Sequence, residues 1–198
     1  METTREFADT VLTTVQDGVL SIKLQEGHYD HLVLRVIVKS PDIESIHISG
    51  NGHLIHEGTL YSTLNLNLRI SGSGSIRTGD IVSDGFTGKC SGSGFLQTGN
   101  ITCNRFSATV SGSGSVQVGG LSTEGYATVR TSGSGTIRLD QVSVGRDMEL
   151  KTSGSGGIQV NGDCRNVSAS VSGSSHISGN LSYDTLQTSG SGSGRVAL

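Results

Sequence analysis

Arginine, lysine and glutamine recur at fixed spacing in this chain, and these side chains grip hydroxyls, carboxylates and sulfates rather than break bonds. Arg77, Gln97, Gln117, Arg138 and Gln159 form one polar column, and Arg69, Lys89, Arg130 and Lys151 form a second. A guanidinium offers a fork of donors that fits a carboxylate or sulfate, and a glutamine amide both donates and accepts. The plain role of such columns is a solvated face that also guards the strands against edge pairing. The sharper role is to hold an acidic glycan, sulfated or built from uronic acids. These two columns are the candidate binding ladders.

Other chemistry finds less support. His28-x-x-His31 and His53-x-x-His56, with Glu57 beside the latter, have a spacing that puts the two rings on opposite faces of a strand. They read as solvated loop histidines, and neither HExxH nor its inverse is present. His176 is the only histidine beyond position 56, so the abundant serines lack a base for a Ser-His-Asp arrangement. Gly88-Lys89 is followed by Cys90 and preceded at the required distance by Ser83, which fails the phosphate loop. Gly72, Gly74 and Gly79 fail the dinucleotide spacing. Asp80, Asp140 and Asp163 lie near one turn, but Asn100 and Gly120 interrupt them, so they read as turn formers rather than a hydrolase pair. Cys90, Cys103 and Cys164 are odd in number with no C-x-x-C pair, which argues against a disulfide framework and excludes a Cys-rich zinc site. The expectation is a non-enzymatic protein with no catalytic residue, metal or cofactor.

What must position the two columns is a repeat. Ser-Gly-Ser-Gly or a near copy begins at Ser49, Ser71, Ser91, Ser111, Ser132, Ser153, Ser172 and Ser189, at intervals of 22, 20, 20, 21, 21, 19 and 17 residues. A fixed period of this size is the signature of a solenoid. One, three and five residues before each serine the side chains are mostly apolar, as in Ile70, Leu68 and Leu66 or Val110, Ala108 and Phe106. The position two before it is polar in most copies, which is the alternation of a strand with one buried face. After the tetrapeptide Ile76, Leu96, Val116, Ile137, Ile158 and Ile177 align, and Ile81, Ile101, Leu121, Val142 and Leu181 give a third apolar position. Phe86, Phe106 and Tyr126 read as one inward aromatic column, part of the core rather than a ligand platform.

These features predict an all-β fold, a right-handed parallel β-helix of about 20 residues per coil. Rungs spaced by about 4.8 Å turn like residues into ladders. Glycine at the corners supplies backbone conformations closed to other residues. The organisation is one domain: residues 1–48 as strands forming an irregular β cap or the first atypical coils, and 49–198 as the repeats. Within the first part Val19–Leu24 and Leu32–Val38 read as strands with a turn near Gly27-His28, broken by Pro41 and Asp42 before Ile43.

Composition agrees. The chain has 198 residues with 30 glycines and a single proline, which excludes collagen. A net charge of −3 gives no sign of a nucleic-acid or polybasic membrane partner. No apolar run is long enough to span a bilayer. The opening METTREFADTVLTTVQDG lacks the cationic and apolar regions of a signal peptide.

VIVKSPDIESIHISGNG followed by the SGSGxI rungs, with VQDGVLSIKL upstream, resembles the head GIN domain family of bacterial auto-transporter adhesins over about residues 10–198. The resemblance implies a right-handed β-helix on a secreted or cell-envelope protein, and adhesion. It brings no established activity and no catalytic residue. Members usually begin with a secretion or lipoprotein signal and further strands, which this chain lacks. The expected function is an adhesin-like binding module that presents its ladders to an acidic polysaccharide or a surface protein. The alternative is a structural element whose terminal coils stack end to end, or whose copies pack side by side. A polysaccharide-degrading β-helix ranks third.

Overall fold

Alternation around each Ser-Gly corner drives three side chains per coil inward before the corner and four after it in the central coils, as in Val116, Val118, Leu121 and Thr123. The columns Leu66–Phe86–Phe106–Ala127–Met148–Val167 and Ile76–Leu96–Val116–Ile137–Ile158–Ile177 are buried along their whole length in the computed structural model, which describes residues 10–27, 35–40 and 42–198. The chain divides into two units, 1–41 and 42–198.

In 42–198 the strands pair parallel and like residues meet like. Ser49, Ser71, Ser91, Ser111, Ser132, Ser153, Ser172 and Ser191 stack as one ladder. The result is a β-solenoid of about 8 turns. The third apolar position forms its own ladder, Leu60–Ile81–Ile101–Leu121–Val142–Gly162–Leu181. The final corner differs from the expected frame. Ser172 pairs with Ser191 and Ser170 with Ser189, so the last tetrapeptide starts at Ser191 and its coil has 19 residues rather than 17.

The coils keep their cross-section although individual columns vary in size. Leu66 and Leu68 share one rung; on the next, Phe86 is beside Gly88, and on the next, Phe106 is beside Ala108. The two phenyl rings stack with centroids 5.5 Å apart and planes 14° apart. A Cβ on Gly88 would come within 2.9 Å of Leu96 Cδ2 and 3.0 Å of Phe86 Cε1, so the large ring fills the space its small neighbour leaves. At the corner, Gly133 has φ of +99°, and a Cβ there would lie 2.7 Å from the Gly112 carbonyl oxygen. The close stacking of rungs and the turn both require glycine at that position.

The unit 1–41 contains a hairpin, Val11–Gln16 antiparallel to Val19–Leu24, joined by Asp17-Gly18 with φ of 50° and 76°. An Asp-Gly pair with both φ positive is the two-residue turn that suits strand twist. Of the strand expected over Leu32–Val38, residues 32–34 lie outside the described residues, as do Pro41 and His28, and 36–38 join no ladder. Among the described residues no helix is long and apolar enough to cross a membrane.

Candidate ligand-binding surface

The outward positions of two strand faces carry the predicted columns. On the face before the corner, His47, Arg69, Lys89, Thr109, Arg130, Lys151, Ser170 and Ser189 follow one another in register, so Thr109 separates two pairs of cations. On the face after the corner, Ile55, Arg77, Gln97, Gln117, Arg138, Gln159, Ser178 and Ala197 form the second ladder. Both columns read from spacing are thus continuous strips of adjacent side chains.

Their electrostatics differ along the axis. Glu149 stands one column over and contacts both Arg130 and Lys151. The Lys151 ammonium bonded to it, joined by the Arg130 guanidinium, holds the Glu149 carboxyl below the usual carboxylate range despite the opposing effect of partial burial. Arg138 is held by Asp140, and its Nη1 donates to Gln159 Oε1 at 3.1 Å. On the early coils the cations are not neutralised. Arg69 and Lys89 have no ion-pair partner among the described residues, and the outward columns flanking them hold Asn67 and Thr87 on one side and Ser71 and Ser91 on the other. Arg77 lies over the Phe95 ring, 5.6 Å from its centroid, and has no ion-pair partner among the described residues. Like charges on facing rungs repel, so the Arg69–Lys89 pair is a place where an anion is favoured.

Histidines of the first coil sit beside these ladders in contacts that sequence spacing did not reveal. His47 Nε2 is 2.8 Å from Ser71 Oγ, and His53 Nδ1 is 2.9 Å from Ser75 Oγ. A serine nucleophile also needs its imidazole oriented by a third group, and among the described residues no carboxylate touches either ring. His53 and His56 lie on the strand His53–His56 rather than in a solvated loop and point to opposite sides of it, with His56 half-buried and its Nδ1 without a partner among the described residues; His28 and His31 lie outside the described residues. Among the described residues no three His, Cys, Asp or Glu side chains gather as metal ligands. Asp140 and Asp163 line one groove of about 480 Å³, and each corner acid has its own partner: Asp80 accepts from the Asn100 backbone N–H at 2.7 Å, Asp163 accepts from Ser143 Oγ at 3.1 Å, and Asp140 pairs with Arg138. The three cysteines are buried and free. Burial pushes the Cys103 and Cys164 thiols up to about 11.

One aromatic is not where the sequence reading put it. Ala127 stacks on Phe106, and Tyr126 pairs instead with Arg105 in the outward column. The coil between Ser111 and Ser132 carries one extra residue in the turn before Tyr126, which shifts the ring by one position and hence to the other face. Tyr126 is 49% exposed and borders a groove of about 390 Å³. Counting back five residues from Ser132 lands on Ala127, the signal that separates the two columns.

A family model described as "Putative auto-transporter adhesin, head GIN domain" matches residues 1–139 and again 122–198. No curated protein and no solved structure matches the chain.

Proposed function

From its membership of this adhesin head-domain family, in which the chain belongs over nearly its whole length, we propose that the solenoid is a cell-surface binding module for an acidic glycan. The observation that carries the reading is the Arg69–Lys89 pair: two cations on facing rungs, with neutral hydroxyl and amide columns on both sides and no ion-pair partner among the described residues. Arg77 on the neighbouring face and the amides of Gln97 and Gln117 extend the donor surface. Carboxylates or sulfates spaced along a polysaccharide would meet a repeating set of donors. The cations of the later coils contribute less, because Glu149 and Asp140 already occupy them. The ladder's functional part is therefore its first half, not its full length.

The test is binding of polygalacturonate and of heparin, measured by calorimetry across a salt series. Wild type should bind one of them with an affinity that falls as salt rises, as expected where charge dominates. Arg69→Ala with Lys89→Ala should abolish that binding, whereas Arg130→Ala with Lys151→Ala should leave most of it. Equal loss from both double variants, or no binding of either polymer, would defeat the reading.

A further inference from the structure

We propose that the groove beside Tyr126 is a subsite for an uncharged pyranose unit, next to the cation pair on the same face of the solenoid. The proposal rests on the glycan-binding reading above and adds a second class of sugar to it.

The trough runs along the axis between two outward columns. Arg105 and Tyr126 border one side, and Thr87, Ser107 and Thr128 stack in register along the other, continued by Asn67. Its floor is the strand surface at Phe86 and Phe106, whose rings are buried on the opposite, inward side. A pyranose has an apolar C–H face and a rim of hydroxyls, and this trough pairs an aromatic ring with neutral hydroxyl and amide groups at matching sides. Its volume of about 390 Å³ is within the range of small-ligand sites.

Tyr126 is the one aromatic side chain of its ladder. Its column otherwise holds Asn65, Gly85, Arg105, Asp147, Asn166 and Thr185. The ring is nonetheless held: the Arg146 guanidinium lies over it at 5.6 Å from the centroid, and Arg146 Nη1 donates to the phenol oxygen at 3.2 Å. A ring fixed before binding loses little freedom when a sugar stacks on it. The only charged side chain lining the trough, Arg105, is committed to Asp84 at 2.6 Å. That neutralisation selects against an acidic unit here, in contrast to Arg69 and Lys89. From rung and strand spacing, Lys89 lies about 10 Å along the axis and about 13 Å along the strand from Tyr126. One oligosaccharide with both neutral and acidic units can reach both places.

Saturation-transfer NMR and calorimetry with maltopentaose, cellopentaose and mannopentaose test the assignment. At least one should bind saturably, with an affinity unchanged between about 0.05 and 0.5 M salt, since no net charge is engaged. Tyr126→Ala should weaken that binding about tenfold, and Tyr126→Phe should retain it within about threefold, the stacking surface being what matters. Both variants alter a half-exposed side chain, so circular dichroism should report an unchanged fold. The Arg69→Ala, Lys89→Ala double variant should leave neutral-sugar binding intact, which separates failure of the groove from failure of the cation pair. Absence of saturable binding for all three sugars, or binding indifferent to Tyr126→Ala, would overturn the proposal.

Discussion

Thr152 and Ser175, 23 residues apart in the chain, share a buried hydrogen bond of 2.6 Å between their hydroxyls. Ser175 occupies the corner position that is glycine in the preceding coils, and it is only 1% exposed. Its Oγ also donates to the Ser172 carbonyl at 2.9 Å, so the exceptional serine is accommodated by a polar partner on the adjacent rung. Thr131, one rung before Thr152 in the same column, is equally buried, yet its Oγ1 finds no partner among the described residues.

Opposite signs are therefore expected from one substitution at two neighbouring rungs. Thr131→Val removes an unsatisfied hydroxyl and should stabilise by about 1 kcal/mol or more. Thr152→Val breaks the bond to Ser175 and should cost about 1 kcal/mol. Urea unfolding of the two variants decides the matter, and destabilisation by both would contradict the assignment of Thr131.

Gly133→Ala should destabilise by at least about 2 kcal/mol, because its backbone region is closed to alanine and its Cβ would strike the Gly112 carbonyl. Gly52 has ordinary φ, and a Cβ there would meet only Ile48 Cγ2 at 3.6 Å. Gly52→Ala should be neutral or stabilising by up to about 1 kcal/mol. Thermal melts of both variants provide the comparison.

Glu149 supplies a pH-dependent contribution. Its carboxyl is more acidic in the folded protein than in the unfolded chain, so the stabilisation is fully present above the unfolded value. It is lost as pH falls through the lowered folded value. Glu149→Gln should lower stability near neutral pH by no more than about 1 kcal/mol, since the pair is open to solvent and screened. The gap between variant and wild type should close in acid, and a gap that widened there would have the wrong sign.

Thiol reactivity should report folding. With Cys103 and Cys164 pushed up to about 11 by burial, about one thiol in a thousand is ionised at pH 8. Ellman titration should find essentially no reaction in the native protein and all 3 cysteines reactive in concentrated guanidinium. Prompt native labelling would show that the core opens.

The repeat made the solenoid and its inward columns legible, since Ile76, Leu96 and Val116 or Leu68, Gly88 and Ala108 differ in size but keep their place relative to the serine. The ladders Arg77 to Gln159 and Arg69 to Lys151 were legible for the same reason. Two things were not. The run Ser189 to Gly194 offers overlapping frames of the same tetrapeptide, and only pairing of Ser172 with Ser191 chooses between them. Charge balance was hidden as well, because Glu149 reaches Arg130 across 19 residues of chain. A column of cations in sequence therefore overstates the free charge on its later rungs. The same dependence on rung contacts concealed His47 beside Ser71 and exposed Tyr126 beside Arg105.

Unequal coil lengths leave the Ser ladder undisturbed because the surplus residues are absorbed elsewhere. Pairing slips occur between Ser62 and Asn65, between Leu139 and Val142, and between Val144 and Asp147, while Arg138 and Lys151 on either side of the latter two keep their rungs. The corner between Leu139 and Val142 is thus tolerant of changes in length that the flat faces would not survive. The slack is one-sided: toward the following coil the pairing slips between Leu139 and Val142, whereas toward the preceding coil Gly120 stays paired with Gln141 and Leu121 with Val142.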